Sequence, residues 1–317
     1  MDVTVIIVSW NSQDQIRMCL QHLSDQTIQP LRIMVLDNDS SDSSAKIAEE
    51  FGNVDVLRMD SNLGFAAGNN RALEGCDTKW IALLNPDAFP EPDWLENMSV
   101  ATVENPGFVA FASRQLRDNN FEVLDGIGDS YHISGKVWRR RCGTKQQPDD
   151  LVSREIFSPC AAAALYQRRA MDEVGGFDED YFCYLEDVDL GFRLRLAGHK
   201  IMYVPSAVVH HVGSASTGGQ HSDFSVYHGH RNLVWTYIKD MPGVLFWLLL
   251  PLHLLLNIVT IFWFVVRGKG KVIFRSKWDA IKRVPRMWRK RKHIQRNRKV
   301  TVGEIWRVLE KSLIRNR

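Results

Sequence analysis

The strongest constraint on this chain lies between Val3 and Asp87, where short apolar runs alternate with helical periodicity. Val3-Thr4-Val5-Ile6-Ile7-Val8-Ser9-Trp10-Asn11 is a β-branched run of the kind that fills a strand buried on both faces. Behind Asn11-Ser12, read as a cap, Ile16, Cys19, Leu20 and Leu23 recur at helical spacing. Ile33 to Asp37 is a second strand. Its polar exit, Asp37-Asn38-Asp39-Ser40-Ser41-Asp42, suits a turn and the start of a helix that runs through about Phe51. Val54 to Arg58 is a third strand, Asn62 to Leu73 a glycine-punctuated turn entering a helix, and Trp80 to Leu84 a fourth strand. This alternation implies right-handed crossovers and a mostly parallel sheet covered by helices on both faces.

The fourth strand stops at Asn85-Pro86-Asp87, because proline cannot donate to a ladder and holds its predecessor extended. Asn11, Asp37 with Asp39, and Asp87 therefore stand at strand ends, which gather on one edge of a parallel sheet and line a cleft there. Asp37 is placed to bind a ribose or base. Asp87 reads either as an ordinary turn residue or as a carboxylate that holds a divalent cation on a diphosphate. The first strand is not followed by GxGxxG, and a Walker A sequence is absent, so a nucleotide would be held in another way.

Further along, Asp118 to Pro148 is polar and loop-like, with scattered glycines and Arg139-Arg140-Arg141; it reads as a surface loop or as an active-site loop. Glu186 and Asp187 open a helix expected to reach about Ala197. Acids favour any first helical turn, but the preceding Phe182-Cys183-Tyr184-Leu185 would bury them, which makes them candidates for a general base. Strand-like Lys200 to Pro205 and Ala207 to His211 end in a His pair before a Gly/Ser loop. Such a pair is structural or contacts a metal or diphosphate.

The net charge of +3 conceals an asymmetry. Residues 267–317 hold 19 Lys/Arg against 3 Asp/Glu, which leaves 21 against 34 in the first 266. Before the basic tail, Gly243 to Val266 runs about 24 residues without a charge, with Trp247 and Trp263 near its ends. A buried core helix would fit the apolar run alone. The cations that follow suit anionic lipid headgroups on the cytoplasmic side better than they suit nucleic acid. The positive-inside tendency argues for a re-entrant, hairpin or in-plane arrangement rather than a single span. The chain thus divides into a body over 1–240 and a membrane-associating tail over 241–317. Five scattered cysteines without CxxC spacing argue against a disulfide framework and a zinc site, and Met1-Asp2-Val3-Thr4 leads straight into a strand. Both favour the cytoplasm.

In order, Val8-Ser9-Trp10-Asn11, the Asp37–Asp42 turn, Asn62-Leu63-Gly64-Phe65-Ala66-Ala67-Gly68-Asn69-Asn70, Leu84-Asn85-Pro86-Asp87-Ala88, Gly176-Phe177-Asp178-Glu179 with Glu186-Asp187, and His210-His211 before Gly213-Ser214 resemble the motifs of the inverting glycosyltransferases of family 2. Within the family the chain looks most like bacterial rhamnosyltransferases, and the resemblance covers roughly Val3 to Trp235. It implies an α/β GT-A fold with C-terminal membrane-associated helices. It also implies single-displacement transfer of one sugar from a nucleotide-sugar. Ser9, Asn11, Asp37, Asp39, Asn62, Gly64, Gly68, Asn70 and Asn85 would bind the donor, Asp87 with His210 or His211 would hold Mg2+ or Mn2+, and Asp187 or Glu186 would serve as base. The metal motif keeps one acid, at Asp87, and Arg231-Asn232 matches an Arg-Asn pair to which the resemblance gives no role. The expected partners are dTDP-rhamnose and a polyprenyl-diphosphate-linked saccharide at the cytoplasmic face of the plasma membrane, for cell-surface polysaccharide synthesis. Alternatives are a UDP-hexose donor or a non-catalytic membrane-tethered binding module. A processive synthase would need several spans and a Gln-x-x-Arg-Trp motif, which this sequence lacks.

Overall fold

The computed structural model describes residues 1–213 and 222–312; the Gly/Ser loop from Ser214 lies outside them. The first half follows the expected alternation: β1 (Val3–Ser9), α1 (Gln13–Ser24), β2 (Arg32–Asp37), α2 (Ser44–Glu49), β3 (Val54–Arg58), α3 (Gly64–Leu73) and β4 (Trp80–Leu84). A short β5 (Ala88–Pro90) and α4 (Trp94–Glu104) lead to the long β6 (Phe108–Arg117). After β6 come β7 (Asn120–Gly126), β8 (Asp129–Tyr131), β9 (Val137–Arg139), β10 (Arg154–Glu155), β11 (Ala163–Gln167), α5 (Arg168–Glu173), α6 (Glu186–Leu196) and β12 (Lys200–His211).

The main sheet has the order β10-β12-β6-β11-β4-β1-β2-β3, with β5 paired to β12 and β7 to β6. Strands β3, β2, β1 and β4 are parallel, and β11 runs antiparallel between β4 and β6. Alternation along β1 shows why both faces are apolar. Val3, Val5 and Ile7 pack with α1, α2 and α4, whereas Ile6 and Val8 pack with α3, α5 and α6 on the other side. The two strand-like pieces expected at the end of the body are one strand, irregular between Val204 and Val208.

Two expectations change. Asp118 to Pro148 is not loop-like: β7 pairs with β6, and β8 with β9, burying Leu124, Ile127 and Tyr131. Strands β8 and β9 have three residues each, and β7, Asn-Phe-Glu-Val-Leu-Asp-Gly, is exposed at one end and buried at the other, so none shows a period-2 pattern. The basic tail is also less free than its charge suggests. Helices α7 (Asp223–Asp240), α8 (Gly243–Val266), α9 (Gly270–Lys282), α10 (Val284–Arg296) and α11 (Val302–Val308) share a core with α6, built from Phe192, Trp235, Phe246, Ala280, Met287 and Ile305. Lys290 and Arg286 bind Asp180 at 2.6 Å, Lys290 also binds Asp178, and Arg291 donates to the carbonyls of Ile238 and Met241.

Helix α8 buries one stripe, Leu245, Phe246, Leu249, His253 and Phe264, along its whole length of about 36 Å at 1.5 Å per residue. At its centre His253 stacks on Tyr237 at 3.9 Å and meets the Ser134 carbonyl at 2.9 Å. The opposite face, with Trp247, Leu248, Leu255, Ile258 and Phe262, is exposed.

Candidate active site

The loops at the ends of β1, β2 and β4 hold one another. Asn11, at φ 49°, accepts from the Ser41 amide and hydroxyl at 2.9 and 3.2 Å while its own amide donates to Ser40 Oγ at 3.0 Å. It therefore clamps the acidic turn instead of capping α1. Asp42 accepts the Gln13 amide at 3.1 Å, at the start of α1. Within this frame Ser9 and Asp37 are register neighbours on β1 and β2. Ser9 Oγ and Asp37 Oδ1 are buried with no protein partner. Buried polar atoms are rarely left so, and two side by side at a strand edge point to a ligand. Asp39 is exposed on the same turn.

The glycine loop divides into residues that shape it and residues that brace it. Asn62 Oδ1 accepts from Asn38 Nδ2 at 3.0 Å and from the Gly64 amide at 2.8 Å. Gly64 has φ +80°, and a Cβ there would lie 2.6 Å from Phe182, so only glycine fits. Gly68 and Asn70, expected to contact donor, have other tasks. A Cβ on Gly68 would meet Val8 Cγ1 at 3.0 Å, so this glycine lets α3 approach β1. The Asn70 amide is consumed by the Phe177 backbone and Glu179 at 2.9–3.0 Å. Asn85 holds the turn through its backbone: its amide donates to the Ala162 carbonyl at 2.8 Å, and its carbonyl accepts from Ala88 at 3.1 Å.

Pairing of β5 with β12 sets His211 opposite Ala88 and His210 opposite Phe89. Adjacent strand residues face opposite ways, so the His pair separates. His211 Nε2 lies 3.3 Å from Asp87 Oδ1, and its Nδ1 donates to Asp125 at 2.8 Å; Asp125 in turn accepts from Arg139 at 2.5 Å. His210, the other expected metal ligand, is turned toward Glu91 at 2.6 Å and packs on Phe121 at 4.4 Å. Burial would lower His211, but hydrogen bonds to Asp125 and Asp87 outweigh it and lift it to about 9. Asp125 is pushed up by burial yet held down at about 2 by His211 and Arg139. Asp87 likewise stays below the ordinary carboxylate range because His211 outweighs burial.

On the far side of Arg139 the acids behave in the opposite way. Asp129, Cys160 and Asp187 present ligand atoms within 4.8 Å of one another, and Arg139 also donates to the Cys160 sulfur. Asp129 is raised to about 7, by burial first and Asp187 second. Glu186 is raised well above its usual value, again by burial and then by Asp187, and its Oε2 is buried without a partner. Asp187 is raised by burial as well, but the Ala161 and Val188 amides at 3.1 and 2.8 Å and the charge of Arg139 favour its ionised form. Of the two expected base candidates, Asp187 is the one equipped to carry charge at the start of α6. Asp189 is fully buried and neutralised by Lys239 at 2.5 Å and Arg193 at 2.8 Å.

The two sides form one site. The Ala161-Ala162 backbone donates to Asp187 on one side and accepts from Asn85, two residues before Asp87, on the other. Asp125, Asp129, Arg139 and Cys160 complete it; of these the sequence marks only Arg139, within Arg139-Arg140-Arg141. For the acids the nearest signal is Asp125-Gly126-Ile127-Gly128-Asp129, two acids among glycines. Asp87 and His211 suit a divalent cation. Their donors are oxygen and nitrogen, His211 Nε2 faces Asp87 Oδ1 at 3.3 Å, and Asp125 orients the ring from behind; a cation there would take the place of the Nε2 proton. The Asp129–Cys160–Asp187 trio suits one less well, since Arg139 already occupies the sulfur.

The model of glycosyl transferase family 2 matches residues 4–175. The chain is 30% identical over 237 residues to an N-acetylglucosaminyl-diphospho-decaprenol L-rhamnosyltransferase of Mycobacterium tuberculosis, covering 68% of this chain and 77% of the relative. It is 28% identical over 220 residues to rhamnosyltransferase WbbL of Escherichia coli, covering 64% and 81%. Among solved structures it resembles a mannosyltransferase of Pyrobaculum calidifontis in complex with GDP-Man and Mn2+, with TM-score 0.56, 15% identity and coverage of 96% and 87%. It also resembles GalNAc-T7 with UDP, GalNAc and Mn2+, with TM-score 0.60, 15% identity and coverage of 75% and 47%. At these identities the structures speak for the fold.

Proposed function

The chain belongs to glycosyltransferase family 2, and from that premise we propose that it moves one rhamnose, with inversion, from dTDP-rhamnose to a polyprenyl-diphosphate-linked saccharide in cell-surface polysaccharide synthesis. The observation that carries the reading is the Ala161-Ala162 bridge, which joins a charge-compensated Asp87 to a base-like Asp187 in one cleft. Ser9 and Asp37, with their unpaired buried oxygens, receive the nucleoside, and Asp39 on the exposed rim of the same turn assists. Asp87 and His211 would hold Mg2+ or Mn2+, which supplies Lewis-acid neutralisation of the leaving diphosphate. Asp187 takes the proton of the acceptor hydroxyl as that oxygen attacks the anomeric carbon from the opposite face. Glu186 keeps its proton and stays neutral beside it. The donor and acceptor assignments draw on the names of relatives, the N-acetylglucosaminyl-diphospho-decaprenol L-rhamnosyltransferase and an O-antigen chain rhamnosyltransferase of Salmonella typhimurium.

The reading includes a site of action at the cytoplasmic face of the plasma membrane. Helix α8 supports it. One stripe is docked to the body from end to end, which leaves the opposite apolar face for lipid and favours a helix lying in the membrane plane over a span. Arg267 over Trp263 at 3.9 Å and Lys282 over Trp278 at 5.4 Å pair cations with aromatics as interfacial anchors do. The test is a panel of nucleotide-sugars with Mg2+ or Mn2+ and a polyprenyl-diphospho-N-acetylglucosamine acceptor, read by diphosphate release and product mass. A single rhamnose increment with dTDP-rhamnose is expected. Transfer from a UDP-hexose instead would replace the donor, and release with none of the donors would overturn the assignment.

A further inference from the structure

The segment that delivers Glu186 and Asp187 is held in a conformation its own residues disfavour. Phe182, Tyr184 and Leu185 have φ of 65°, 67° and 67°, a region that residues with a Cβ avoid. Three such residues within four positions persist only where the surroundings enforce them. The enforcing group is Asn232, fully buried in α7. Its amide nitrogen lies 3.1, 2.9 and 2.7 Å from the carbonyl oxygens of Tyr181, Cys183 and Tyr184. Its oxygen accepts from Arg231 Nε at 2.9 Å, which leaves the nitrogen to face the loop. Arg231 adds a bond to the Tyr181 carbonyl at 2.9 Å, its guanidinium resting on the Trp235 ring at 4.3 Å.

The other side of the loop rests on the donor loop. The Phe182 carbonyl accepts from the Ala66 amide at 3.1 Å, and Phe182 fills the space that a side chain at Gly64 would need. Leu185 then becomes the left-handed residue from which α6 starts, its carbonyl accepting the Asp189 amide at 2.9 Å. We propose that Asn232 is a positioning residue for glycosyl transfer: it gathers three carbonyls of the left-handed segment and so fixes the start of α6, and with it Asp187, against the Gly64 loop. The inference rests on the assignment of Asp187 as base, but the local geometry it invokes does not.

The test uses full-length protein carrying Asn232→Ala or Asn232→Asp; the second keeps the volume and presents oxygen to the three carbonyls. With the productive donor of the panel, kcat should fall about 10–100-fold, the effect of a misplacement of about 1 Å, while donor KM and the calorimetric Kd for dTDP stay within about threefold. Amide exchange should accelerate in peptides covering 181–190 and remain unchanged in those covering β1 and β4. Adding Leu185→Gly to Asn232→Ala should restore kcat by about fivefold, because glycine accepts positive φ without help. Unchanged kcat, or dTDP affinity falling in parallel with kcat, would overturn the positioning role. If Asn232→Ala fails to fold, Asn232→Asp and the exchange measurement decide alone: equal exchange in 181–190 would refute the clamp. Asp187→Asn measured alongside separates the two ideas. Full activity there would refute the base while leaving accelerated exchange in the Asn232 variants as support for the clamp.

Discussion

Two groups of acids flank Arg139, and they differ in what faces them. Asp87 meets His211, Asp125 meets both His211 and Arg139, and both acids lie below the usual carboxylate range. Asp129 and Glu186 are buried with Asp187 as their foremost charge, the burial of Asp187 is offset only in part by two amides and Arg139, and all three lie above it. Burial acts on both groups in the same direction, so the partners decide the outcome. One group is fitted to stay charged beside a cation and a diphosphate, and the other to hold or accept a proton. A transferase needs both within one cleft, and Arg139 divides them by touching Asp125 on one side and Cys160 on the other.

The most damaging way to break the comparison is to remove charge from the low group. Asp87→Asn should lower kcat by about 10³-fold or more, the scale of several kcal/mol of lost Lewis-acid stabilisation, and should abolish the response to added Mn2+. Next comes Asp187→Asn, expected to lower kcat by about 10²–10⁴-fold while dTDP still binds, since general-base assistance has that size. Glu186→Gln sharpens the contrast. If Glu186 already carries a proton at neutral pH, an isosteric amide should change kcat by less than about threefold, and a loss like that of Asp187→Asn would show that Glu186 ionises.

A separate prediction concerns stability. Asp129 holds its proton to about pH 7 when folded and releases it near its ordinary 3.8 when unfolded. The unfolded chain therefore binds fewer protons across that window, and stability should fall as pH rises from about 4 to 7 and then level off. Asp129→Asn should flatten that fall and stabilise the protein at pH 8 by about 1–4 kcal/mol, with about 1.4 kcal/mol per pKa unit as the upper scale. Urea denaturation at pH 4.5 and pH 8 reads both quantities.

The division between the groups also marks what the sequence discloses. Asp87 is legible because a buried strand ends there in Asn-Pro-Asp, and a strand end is a place in the fold. Ser9, Asp37 and Asn62 are legible for the same reason, since local turns carry them. His210 and His211 could not be told apart, because only the pairing of β12 with β5 shows which faces Asp87. Asp125, Asp129 and Arg139 lie on strands that are too short to alternate or, in β7, buried at one end only, and they reach the site by pairing with β6 and with each other. Asn232 was visible only as half of an Arg-Asn pair; its task depends on carbonyls about 50 residues away. The tail read correctly as basic, yet Arg286 and Lys290 spend their charge on Asp178 and Asp180.

The most direct test is an infrared titration of the protein from pH 5 to pH 9, followed in the wild type, Glu186→Gln and Asp87→Asn. A protonated-carboxyl band should persist at pH 7 in the wild type and in Asp87→Asn, and it should weaken in Glu186→Gln. If no such band survives at pH 7, or if Glu186→Gln leaves it intact while Asp87→Asn removes it, the opposition between the two acid groups is wrong.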